Sequence, residues 1–62
     1  MNFTVDELIT RFPLNYVIEI FDTQLNASFR FDECAYDSRK KYCKAEVQDF
    51  IVSSGKFVVI TV

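Results

Sequence analysis

Sixty-two residues with a mass of 7.3 kDa suffice for one domain, and residues 1–62 read as a single one. A chain this short buries only ~60% of its unfolded surface, which argues against a cofactor lobe or an enclosed catalytic cleft. Half of the residues are hydrophobic, the net charge is −2 and there is no histidine. That composition is globular rather than disordered, makes nucleic-acid phosphate a poor first partner, and removes the commonest general base and metal ligand.

The chain opens on a helix-start signal. Thr4 as N-cap, with Glu7 three residues later, makes a capping box. Phe3 and Leu8 fall at the two positions of a hydrophobic staple, and Asp6 and Glu7 complement the helix dipole. Val5, Leu8, Ile9 and Phe12 follow the i, i+3, i+4, i+7 spacing of one apolar stripe, and Pro13 ends the run. Two turns of helix are unstable alone in water, so this stripe requires a sheet beneath it.

Tyr16–Phe21 is β-branched and aromatic and predicts the first strand. Asp22-Thr23-Gln24 supplies a turn, and Leu25–Asp32 alternates apolar with polar residues as a half-buried second strand should. From Glu33 to Lys44 the pattern breaks, with Asp37-Ser38 able to cap a short helical turn through Tyr42. Ala45–Val52 predicts a third strand whose uneven alternation suggests a bulge or a second buried face. Ser53–Lys56 is a turn in which Gly55 is free to take positive φ. Phe57–Val62 closes the described pattern as the most apolar strand.

These elements predict an α+β domain: a short amino-terminal helix packed on a four-stranded, mainly antiparallel sheet of two hairpins. The first and last strands belong at its centre, because both are apolar on both faces. One short helix covers one face only. Val17, Phe21, Val58 and Ile60 are therefore the expected apolar surface for a partner or a second copy, unless residues 33–44 fold over it.

Cys34 and Cys43 are too few for a zinc site without histidine. The amino terminus has no basic segment leading into a long apolar core, and no stretch approaches a membrane span. A cytoplasmic chain with free structural thiols is expected, a loop-closing disulfide being the alternative. No metal and no cofactor is expected.

Three groupings bear on binding. Asp22, Asp32 and Glu33 are expected to converge at one end of the first hairpin, where carboxylates imitate nucleic-acid phosphates; plain surface solubility is the simpler account. Arg39, Lys40, Lys41 and Lys44, interleaved with Tyr36 and Tyr42, have the makings of a single-strand contact, although a solvated connection explains them more simply. Serines without a histidine, and cysteines without one, give no nucleophile motif. An enzyme is not expected.

Thr4-Val5-Asp6-Glu7-Leu8-Ile9 running into Phe12-Pro13 resembles the opening of many short accessory proteins of bacteriophages and integrative elements. The strand Val17–Asp22, the segment Glu46-Val47 to Phe50 and Val52, and the close Gly55–Ile60 are similar to theirs as well; the basic, cysteine-flanked stretch 34–43 departs from them. The resemblance implies a fold rather than a chemistry. Some similar small acidic phage proteins block host defence nucleases, anti-CRISPR proteins among them. The leading expectation is thus a non-enzymatic inhibitor that binds a host protein complex, such as a CRISPR effector or another nuclease. A homodimeric regulatory or structural accessory protein is the alternative, and a single-stranded nucleic-acid module a lesser one.

Overall fold

A computed structural model describes residues 3–62. The elements run α1 (Val5–Ile9), β1 (Val17–Asp22), β2 (Ala27–Arg30), a 3-10 turn (Phe31–Glu33), α2 (Tyr36–Cys43), β3 (Asp49–Ser53) and β4 (Phe57–Thr61). The capping box forms as its residues dictate: Thr4 Oγ1 accepts from the Glu7 amide at 3.3 Å, and Glu7 Oε1 accepts from the Thr4 amide at 3.0 Å. The helix stops at Ile9 rather than at Phe12. Beyond it, Arg11 and Phe12 donate to Leu8 and Ile9 in tighter turns.

The sheet is four-stranded in the order β2-β1-β4-β3, so the first and last strands are central. Each hairpin is antiparallel, whereas β1 and β4 run parallel, with Ile18 opposite Val58 and Ile20 opposite Ile60. The sheet is therefore mixed. Parallel neighbours need a long crossover, and everything from β2 to β3 supplies it.

Three local expectations are corrected. The second strand begins at Ala27, because the chain turns through Asn26 at φ 51°, a conformation asparagine tolerates. Gly55 does not take positive φ; Lys56 does, at 60°, and its carbonyl accepts the Val17 amide at 2.8 Å. Asp37-Ser38 does not cap α2, which starts earlier, with Ala35 as an N-cap lacking a side-chain bond.

The third strand is also shorter than its apolar residues suggest. Val5 donates to Ala45 and Val47 donates to Phe3, with a Thr4–Glu46 bridge between them. Val47 is thereby buried under the start of α1 instead of extending β3. This resolves the uneven alternation without a bulge.

Ile20, Val58 and Ile60 of the sheet meet Val5 and Leu8 of α1, Tyr42 of α2 and Val47. Five of these side chains are fully enclosed, each stabilising the fold by about 1.5–3 kcal/mol. Phe12 stacks on Tyr16 and meets Phe50 edge-on, closing one end of this core. Both helices consequently cover the same sheet face.

Candidate functional site

The opposite face follows directly from strand parity. Val17, Glu19 and Phe21 alternate with the core residues of β1, and Phe57, Val59 and Thr61 alternate with those of β4. Register places Val17 beside Phe57 and aligns Arg30, Glu19, Val59 and Ile51 in one row across all four strands. Val17, Phe21, Phe57 and Val59 are half-buried. Ile51, at the margin, remains 64% exposed. The middle of the chain does not shield this face: it forms α2, which packs with α1 on the other side.

The expected apolar set is accordingly divided. Val17 and Phe21 belong to the open face. Val58 and Ile60 are corrected to the closed core, where both are 0% exposed, because the β4 residues aligned with the open side are Phe57 and Val59. The parity of β4 was plain in its sequence, but the face each parity meets depends on its parallel register with β1.

The expected acidic trio separates as well. Asp22 pairs with Ala27 at the hairpin turn, whereas Asp32 and Glu33 follow Arg30, which pairs with Glu19. These rows lie three residues apart, about 10 Å along the strand. Asp22 is also buried at 7% exposure. Its Oδ2 accepts from the Tyr42 hydroxyl, and its Oδ1 accepts from the Gln24 and Leu25 amides at 2.9 and 3.4 Å. Asp22 is thus a tie between the hairpin turn and α2, not a surface anion.

That tie shifts both partners. The Tyr42 hydrogen bond holds the Asp22 carboxyl below its ordinary pKa; burial opposes it, and the two amides and Lys41 reinforce it. The same bond, with burial and the neighbouring negative charge, pushes the Tyr42 phenol up. Phe29 packs against the Tyr42 ring at 5.0 Å and Lys41 lies 5.4 Å from its centroid. Sequence pattern singled out both Asp22 and Tyr42 but not their pairing, which is made across 20 positions.

Asp32 and Glu33 remain at the surface, yet both hold Arg30, at 3.2 Å each. Arg39 donates to the Asp32 carbonyl at 3.1 Å. Lys40 and Lys41 of α2, and Lys44 at its C-cap, stay exposed. Beside them Tyr36, 76% exposed, opens onto a cleft of about 420 Å³ shared with Arg39, Lys40 and Lys44. Cys34 and Cys43 are free and half-buried, and burial raises both thiols, which disfavours the reactive thiolate.

Among the described residues no group of three or more His, Cys, Asp or Glu is placed to hold a metal, and no helix is long and apolar enough to cross a membrane. Comparison with known proteins finds no matching family model, curated protein or solved structure.

Proposed function

We propose that the protein is a non-enzymatic binding module that seats its open sheet face on a larger partner and blocks that partner by occupying its surface. The observation that carries this reading is the apolar face formed by Val17, Phe21, Phe57, Val59 and Ile51, which neither helix covers because both pack on the other side. Apolar patches of this kind on a small domain are typical docking sites. The likeness of its opening and closing motifs to phage accessory proteins directs the search for the partner to host defence nucleases, CRISPR effectors among them, in the host cytoplasm. Mimicry of phosphates by Asp22, Asp32 and Glu33 forms no part of the proposal, since those carboxylates are separated and engaged.

The reading is tested by adding the purified protein to the cleavage reaction of such a nuclease. Inhibition is expected, together with its loss in Val59→Arg at unchanged fold. Inhibition equally strong with Val59→Arg removes the open face from the mechanism, and absence of inhibition across the effectors of the native host removes the inhibitor reading.

One observation favours a second reading. The stretch Tyr36–Lys44 carries four basic residues against Asp37 alone, and Tyr36 stands exposed among them, an arrangement suited to a single-stranded nucleic acid.

A further inference from the structure

The open face is apolar through Val17, Phe21, Phe57, Val59 and Ile51, strand parity places Ser28, Arg30, Asp49 and Thr61 around them, and Glu19 stands near its middle. It belongs to an inner strand, has Val17 and Phe21 two residues away on either side, and faces Val59 on β4. The residue across from it on β2 is Arg30, the natural counter-ion for a cross-strand pair. That guanidinium is taken: it holds Asp32 Oδ2 and Glu33 Oε1, each at 3.2 Å. Among the described residues Glu19 forms no ion pair and no side-chain hydrogen bond, although it is half-buried.

We propose that Glu19 makes the open face selective for a protein surface that offers a lysine or arginine at the centre of an apolar patch, and that it turns away a second copy of the chain. The proposal rests on the docking role of this face. Covering the face strips water from the carboxylate, which is unfavourable unless a cation replaces that water. A partner with a central ammonium or guanidinium supplies it. A two-fold dimer does the reverse: a residue at the middle of an isologous interface lies near the axis and meets its own copy, so two carboxylates are pressed together in a drying interface. Charge placement of this kind rejects wrong partners as much as it attracts right ones.

The Glu19→Lys variant of this chain is a ready probe, since it presents the same apolar face with an ammonium at its centre. Isotope-labelled wild type is titrated with unlabelled Glu19→Lys and followed by NMR and by sedimentation. Concentrations up to about 1 mM are needed, because so small a face gives a weak complex. After circular dichroism has verified the fold of each variant, the mixture is expected to form a one-to-one complex with shifts at Val17, Phe21, Ile51 and Val59. Its affinity should exceed the self-association of either chain by about tenfold or more. Glu19→Leu alone is expected to self-associate.

A mixture no tighter than either chain, alongside a self-associating Glu19→Leu, overturns the charge selectivity and leaves the docking face in place. A mixture and a Glu19→Leu variant that both stay monomeric overturn the docking face itself. Wild type that dimerises unaided through Val59 and Phe21 overturns the exclusion of a second copy.

Discussion

Val58 and Val59 are neighbours in β4 with the same side chain and opposite surroundings, and they give the fold its sharpest test. Val58 is fully enclosed between the sheet and the helices, whereas Val59 is half-buried on the open face. Truncating Val58 to alanine removes two buried carbons worth about 0.8 kcal/mol each and leaves a cavity that the surroundings fill only in part. The expected loss is about 2–3 kcal/mol. A domain of 62 residues has a total stability of roughly 3–9 kcal/mol. Val58→Ala should therefore lower the melting temperature by about 10–20 °C. Val59→Ala removes the same atoms from a surface still in water, and should cost below about 1 kcal/mol. Thermal unfolding followed by circular dichroism, at two concentrations of each variant, reads the difference. Equal losses at the two positions, or a wild-type melting temperature that rises with concentration, would refute the one-sided sheet as a property of the isolated chain.

Other outcomes follow from the remaining contacts. Thr4→Ala removes the hydroxyl that caps α1 and should cost about 1 kcal/mol in denaturant titration. Because the folded Asp22 pKa is depressed, its contribution is complete above the ordinary carboxyl range and is lost as pH falls through the lower folded value. Stability should thus decline below about pH 4, and Asp22→Asn should flatten that acid limb relative to wild type; the limb of the variant left unchanged would deny the Tyr42 tie its role. Glu7, also held low by its Thr4 bonds, contributes to the same limb and keeps part of it in the variant. If the α2 ridge binds single-stranded nucleic acid, anisotropy of a labelled oligothymidine should show log affinity falling with log salt at a slope of about −2 to −3 for three to four phosphate contacts. Reversing Lys40, Lys41 and Lys44 to glutamate should abolish binding. No binding by wild type at low salt would end that reading.

The parts of the fold written in short-range pattern were legible. The Thr4–Glu7 box, the two hairpins and the central place of the two doubly apolar strands need only spacing and hydropathy. What local pattern does not carry is set by contacts distant in sequence. The parallel register of β1 with β4 decides which face Val58 and Val59 each meet, and no local pattern specifies it. Val47 reads as a strand residue until residues 45–47 are seen to pair with residues 3–5. The Asp22–Tyr42 bond looks like two unrelated surface groups until α2 crosses the end of β1. Glu19 likewise reads as an ordinary polar position in a strand; its isolation appears only when Arg30 is found occupied by Asp32 and Glu33. The uneven φ assignments at Asn26 and Lys56 have a simpler origin, since a turn without a central glycine pair leaves the left-handed residue undetermined.

The arrangement links these observations to function in a definite way. Two short helices, neither stable alone, are fixed by a single shared core and by the Tyr42–Asp22 bond, so both brace the sheet from one side. A sheet face braced from behind loses little conformational freedom on docking, and Glu19 near its middle gives it a preference among partners.

Docking through the open face requires that face to be uncovered in the free protein. Methyl NMR with a soluble paramagnetic agent measures this directly, at concentrations low enough to exclude association. The methyl signals of Val17, Ile51 and Val59 should be strongly attenuated, while those of Ile20, Val58 and Ile60 stay protected. Protection of Val17 and Val59 to the same degree as Val58 would contradict it.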